Sequence, residues 1–205
     1  MVGPGGVRAQ GPSDPDGGWA DRYGRVVSIP STANDWLVDQ GTGSDGVATA
    51  TFDPTRVYRF RLTRTWDAGL PRVNFLMLNP STADAHVLDP TVRRCVGFAR
   101  TWGFGTLVVT NIFAFRATDP AVLALPDDPV GPGNDRAITD AAVSADRVVV
   151  AWGTRGSQLA RGEQVAGLLD DHGVAAVALR ATRDGYPAHP LYLRGDTVPV
   201  PWSRP

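Results

Sequence analysis

The chain contains no lysine: all 20 of its basic residues are arginine. Without that side-chain amine there is no lysine Schiff base, no Walker-type phosphate lysine and no lysine-anchored pyridoxal phosphate. Glutamate is nearly as scarce, since Glu163 is the one Glu among 21 acidic residues. The single cysteine, Cys95, excludes an intrachain disulfide, a cysteine-cluster zinc site and an iron–sulfur cluster held by this chain alone. Three histidines, His86, His172 and His189, are too few for a His-rich metal site, so neither metal nor cofactor is expected. No apolar run reaches the ~18 residues that a membrane helix needs. Residues 1–18 hold no apolar core of a leader peptide, so a secretory signal is not expected and a cytoplasmic location is.

What is present suits one globular domain: 205 residues, 42% hydrophobic and 20% charged. The net charge of −1 is unevenly spread. Residues 51–125 carry nine Arg against five Asp, a balance of +4, whereas residues 1–50 stand at −3 and residues 126–205 at −2. The middle of the chain is therefore where an anionic partner is to be sought, although scattered surface charge would give the same count.

Residues 1–18 are Gly, Pro, Ser and Asp with little to bury, and are expected to be disordered. Residues 19–50 read as an irregular extension, with a short strand around Val27 and Ile29 and a loop over 40–46. From 51 to 205 the pattern is that of an α/β domain. Tyr58, Phe60 and Leu62 alternate with Arg59, Arg61 and Thr63, the period of a half-buried strand. Short apolar runs at 73–78, 106–113, 148–152 and 174–179 read as strands buried on both faces. Between them fall helices at about 90–102, opened by Asp89-Pro90 and stopped by Gly103, then at 134–145 and 157–172. Strands alternating with helices predict a central, mostly parallel four-stranded sheet with helices on both faces.

Ligands of such sheets bind beyond the carboxyl ends of the strands. The segments found there supply the candidates. Asn79, followed by Pro80, can hold a water or a carbonyl, or can be a plain turn residue. Asp84 and Asp89 can each act as a base; Asp89 has a ready role as a helix cap, and Asp84 stands open between turn and catalysis. Asn111 interrupts the apolar run VVTNIF, and a buried amide must find partners; it can read the edge of a base or bond to neighbouring backbone. Phe113, Phe115 and Tyr186 can stack on a base or belong to the core. His189, on a loop closed by Pro190, is the catalytic histidine candidate, whereas His172 ends a helix and complements its dipole. Gly153-Thr154-Arg155-Gly156, ahead of a helix, offers a weak phosphate-binding loop.

The stretch FLMLNPSTADAHVLDPTVRRCVGFARTWGFGTLVVTNIFAFRATDP, with VVVAWG and HPLYL downstream, resembles the DUF1643 family over roughly residues 56–202. The same blocks bear a more distant resemblance to the uracil-DNA glycosylase superfamily. Leu78-Asn79-Pro80 is similar to the Asn-Pro form of its water-positioning loop. Val109-Thr110-Asn111-Ile112 is similar to its base-reading strand. Val150-Ala151-Trp152-Gly153 is similar to its Leu-Leu-Trp-Gly strand end, and His189-Pro190 to its His-Pro-Ser motif, with Leu191 in place of Ser. Four blocks in the same order imply a glycosylase-like fold in which Asn79 positions water, Asn111 reads the base and His189 donates to the leaving base or a phosphate. The water loop lacks the superfamily's aromatic residue, because Ser81-Thr82 follows Asn79-Pro80; this points to a bulkier or modified base.

The expected function is therefore hydrolysis of the N-glycosidic bond of a flipped, modified base in DNA, with defence against foreign DNA as one setting. Arg93, Arg94, Arg116 and Arg155 are the phosphate candidates. The expected partner is DNA, bound by a monomer away from any membrane. Two alternatives stay open: a nucleoside or nucleotide hydrolase acting on small molecules, and a nucleic-acid or nucleotide binder without catalysis.

Overall fold

A computed structural model describes residues 27–31, 35–43, 46–81, 89–124 and 126–204. Asp84, His86 and the stretch 1–18 lie outside the described residues. The strands are β1 (Val27–Ser31), β2 (Trp36–Gly43), β3 (Gly46–Phe52), β4 (Arg59–Thr65), β5 (Arg72–Met77), β6 (Thr106–Asn111), β7 (Arg147–Val150), β8 (Ala176–Ala178) and β9 (Val200–Pro201). The helices are α1 (Pro90–Thr101), α2 (Asn134–Val143) and α3 (Arg161–Asp171), with 3-10 turns at Pro120–Ala124, Thr154–Ala160 and Pro190–Tyr192. No helix among the described residues is long and apolar enough to cross a membrane.

Among the described residues the strands form one sheet of nine, in the order β1-β2-β3-β4-β6-β5-β7-β8-β9. The four buried runs read from the sequence, β6, β5, β7 and β8, are neighbours and mutually parallel. The expectation of a mostly parallel four-stranded sheet is nevertheless corrected. β1 to β4 extend it antiparallel on one side and β9 on the other. The stretch 19–50, expected to be irregular apart from a short strand around Val27 and Ile29, supplies β1 at that strand and, beyond the expectation, β2 and the start of β3. After Trp36-Leu37-Val38, β2 turns to Asp, Gln, Gly and Thr, and β3 is mostly Ala and Thr, so too few bulky apolar residues remain for the two-residue period to stand out. Where β3 begins, Gly46 has φ +107°, and a Cβ there would lie 2.0 Å from the Thr65 carbonyl oxygen. Glycine at that point lets β3 run close against β4.

Beyond their first residues β5, β6 and β7 are buried on both faces, which is why they read as continuous apolar runs. β8, expected to be the same, is only half-buried at Ala176 and Val177 because just the two-residue β9 covers its outer edge. Val73, Phe75 and Met77 of β5 join Leu107 and Val109 of β6 against Val92, Cys95, Phe98 and Ala99 of α1. Leu76 and Leu78 face the other way, with Val148 and Val150, against Ile138 of α2 and Val165 and Leu169 of α3. The change of face has a topological cause. The crossover from β5 runs to one side, to β6, and the next runs back past β5 to β7. Right-handed crossovers in opposite directions place their helices on opposite faces. A crevice therefore opens outside the carboxyl ends of the central strands.

Helix α1 begins as its sequence dictates. Asp89 is in the extended conformation and its carboxylate accepts from the Val92 N–H at 2.6 Å, with Pro90 at the first helical position. The helix expected over 157–172 begins only at Arg161. Leu159 and Ala160 have φ of 54° and 52°, so the chain kinks between the 3-10 turn and α3.

Candidate active site

Asn79 leaves the carboxyl end of β5 beside the exit of β6. The backbone ladder continues past the strands: Ile112 N–H donates to Met77 O (2.8 Å), Phe113 N–H to Leu78 O (2.9 Å) and Ala117 N–H to Pro80 O (2.9 Å). The Asn79 side chain reinforces this stitching, its Nδ2 donating to the carbonyls of Ala117 (2.8 Å) and Pro80 (3.2 Å). The amide nitrogen is thus committed to backbone, and Oδ1 is the atom the residue can offer to a ligand or a water.

A cleft of about 180 Å³ opens over this point. Asn79, Ser81, Asp89, Thr91, Thr118, His189 and Arg59 line it, on a floor of Met77, Leu78 and Val92. Two predicted residues far apart in sequence, Asn79 and His189, are therefore brought together. His189 arrives from beyond β8. Its Nδ1 accepts from the Leu191 N–H at 3.4 Å, which leaves the proton of the neutral ring on Nε2. Burial lowers the imidazole pKa from its ordinary value, and the Asp89 carboxylate counteracts this by less. At neutral pH His189 is an uncharged hydrogen-bond donor. Asp89 caps α1 with one carboxylate oxygen and accepts from Ser81 Oγ (2.8 Å) with the other.

Arg59 is the site residue that sequence alternation missed. Its fractional exposure is 2%, yet it lines the cleft. The register between β3 and β4 slips at this point, with Thr51 opposite Arg61 but Phe52 opposite Arg59. Phe60 is the extra residue of a β-bulge. A bulge re-aims the side chains that flank it, and this one carries Arg59 to the side of the sheet where Met77 and Val92 lie. Arg59 Nη2 donates to Asn111 Oδ1 at a long 3.5 Å.

Asn111 is 1% exposed and does not itself line the cleft; it sits behind Arg59, and its Nδ2 has no partner among the described residues. Two further residues hold the exit of β6. Asn134 Nδ2 donates to the carbonyls of Asn111 (3.0 Å) and Ile112 (3.2 Å), and the buried Arg161 donates from Nε to Ile112 O (2.8 Å) while pairing with Asp135. No local sequence signal marks them, because their partners are backbone atoms remote in the chain.

The other candidates lie elsewhere. Phe113 is fully buried in the core beneath α2 and α3 and borders a separate cavity of about 340 Å³. Phe115 packs edge-on against Tyr58. Arg116 lies over the Phe52 ring, as does Arg56, and donates to the Arg56 carbonyl. Arg155 is exposed on the 3-10 turn after β7. There Gly156 serves packing, since a Cβ on it would fall 2.1 Å from Trp152 Cδ1, whereas Gly153 has φ +73° and open space around it. Arg93 and Arg94 line a distinct groove on α1. His172 is exposed, with Nδ1 2.9 Å from Leu168 O at the end of α3.

No curated protein and no solved structure is significantly similar to the chain. A family model described as "Protein of unknown function (DUF1643)" matches residues 59–191, from the arginine at the base of the cleft to two residues past its histidine, which is more than half of the chain. The chain belongs to the DUF1643 family.

Proposed function

We propose that this protein hydrolyses the N-glycosidic bond of a nucleotide whose base has been turned out of its strand. The observation that carries the reading is the cleft that gathers Asn79 Oδ1, the neutral His189 and the buried guanidinium of Arg59. At about 180 Å³ it is smaller than the roughly 300 Å³ or more of sites for drug-sized ligands. It suits one ring system, with sugar and phosphate left at the mouth. The two blocks of the uracil-DNA glycosylase resemblance that carry Asn79 and His189 support the same reading, whereas Asn111, the base reader that resemblance implies, lies outside the cleft lining.

Breaking the bond sends its electron pair to the base and leaves an oxocarbenium-like sugar, which water captures at C1′. Two tasks follow: to orient the water and to stabilise the departing base anion. Asn79 Oδ1 accepts a hydrogen from the water and directs its lone pair. His189 donates from Nε2 to the base as negative charge grows, and Arg59 supplies fixed positive charge in a site shielded from solvent. Asp84 is the candidate for removing the water's proton. With no lysine in the chain, no lysine Schiff base forms with the sugar, and the product is an abasic site in an intact strand.

The test is incubation with DNAs carrying normal and modified bases, followed by alkali to cut abasic sites. Asn79→Ala and His189→Ala are expected to lower base release by about a hundredfold, the value of roughly 3 kcal/mol of transition-state stabilisation. His172→Ala is expected to leave it unchanged. Release from free nucleosides but from no DNA would assign the site to small molecules. Binding with no release from any substrate would make the protein a binder.

A further inference from the structure

We infer that the groove along α1 is the track for a single strand of DNA whose base enters the neighbouring cleft, an inference that rests on the reading above. The groove, about 490 Å³, is lined by Pro90, Arg93, Arg94, Gly97, Phe98, Thr101, Leu191 and Gly195. It adjoins the cleft along two segments. Pro90 borders the groove while Asp89, Thr91 and Val92 border the cleft, and Leu191 borders the groove two residues after His189. A strand lying in one therefore presents its next unit to the other.

The lining holds two arginines and no acid. Arg93 is exposed. Arg94 is preorganised, donating to the Leu193 carbonyl and lying over the Phe98 ring. The nearby carboxylate of Asp196 is engaged by Arg194, with contacts of 3.0 and 2.9 Å. Gly97 and Gly195 keep the walls low, and a Cβ on Gly97 would meet nothing within 4 Å.

An independent observation favours a single strand. Tyr192 is 84% exposed, and its ring centroid is 6.1 Å from that of His189. It lines neither cavity, but it directly follows Leu191 of the groove and its ring lies beside His189 of the cleft. A basic groove beside an exposed aromatic ring is the usual means of holding unpaired strands, with phosphates on the cations and a base on the ring. An ordinary core residue would not leave so much aromatic surface in water.

The experiment is fluorescence anisotropy of the full chain with a labelled single-stranded DNA of about 16 nucleotides, between about 50 and 200 mM salt. Tyr192→Ala is expected to weaken binding by about fivefold to a hundredfold, and Tyr192→Phe to restore it. Arg93→Ala is expected to reduce the salt slope by about 0.7. Gly97→Glu, which fills the groove with negative charge, is expected to weaken binding at least about tenfold with melting no lower than the parent's, since the helix loses a glycine. Binding by Tyr192→Ala and Gly97→Glu equal to the parent's would overturn the proposal. So would displacement of the strand by an equal concentration of mononucleotide, or release of base from free nucleosides by a protein that binds no strand; in that last case the N-glycoside reading survives. Strand binding that responds to these variants without base release from any DNA would sustain the groove and remove the catalytic reading instead.

Discussion

Gly156→Ala sets two roles for the loop after β7 against each other by the sign of a stability change. Gly156 does not have positive φ, so alanine fits its backbone. If the glycine were there only to keep a phosphate loop open, alanine would stabilise the protein by about 0.4–1 kcal/mol through the unfolded chain. The structure predicts the opposite. The added Cβ would lie 2.1 Å from Trp152 Cδ1 and 2.5 Å from its Nε1. Trp152 is 2% exposed and has little room to retreat: Trp202 meets it edge-on at 5.3 Å and is tied by its own Nε1 to Gly185 O at 3.1 Å. Overpacking of this kind costs about 1–3 kcal/mol. At about 2 kcal/mol the melting temperature falls by roughly 4–8 °C, given about 2–4 °C per kcal/mol for a chain of this size. The control is Gly97→Ala in α1, where nothing crowds the new methyl and the gain in helix propensity, about 0.8–1 kcal/mol, raises melting by roughly 2–4 °C. Thermal melts followed by circular dichroism read both. A rise with Gly156→Ala matching that of Gly97→Ala would refute the packing account and return the loop to phosphate binding.

Because burial depresses the His189 pKa, the unfolded chain holds that proton at higher pH than the folded one. The stability contribution is present above the ordinary histidine value of about 6.5 and is lost as pH falls through the lower folded value. A His189→Asn variant should therefore lose less stability than the parent as pH drops below about 6.5, by much less than the limit of about 1.4 kcal/mol per pH unit, since the ring is partly exposed; parallel melts with identical slopes would contradict this. Asp89→Ala removes the cap on Val92 and should lower stability by about 1 kcal/mol, whereas Asp89→Asn keeps the cap and should shift the His189 titration, followed by NMR, further down. Arg59→Met should reduce base release by about a hundredfold to a thousandfold in protein of parental near-UV circular dichroism; retention of full activity would remove Arg59 from the chemistry.

The four parallel strands and α1 were legible in the sequence because their signals are local. A strand buried on both faces reads as a continuous apolar run, and Asp89-Pro90 opens a helix by hydrogen bonding within one turn. The sheet-edge rule then points to Asn79 and His189, which line one cleft. Tertiary structure alone decided the rest. Arg59 sits on the wrong side of its own alternation because the bulge at Phe60 inverts it, and a one-residue slip in strand pairing depends on the partner strand. Phe113 went to the core, since an aromatic at a strand end has the same sequence signature whether it stacks on a ligand or on a helix. The short strand expected around Val27 and Ile29 is β1, but β2 and β3 arise from pairing along a sheet edge that β4 provides, and their sparse bulky apolar residues hid them. The left-handed Leu159 and Ala160 split a helix that the apolar period had joined. Sequence sets propensities over a few residues; which distant side chains share one small cleft is decided only when the sheet closes its register.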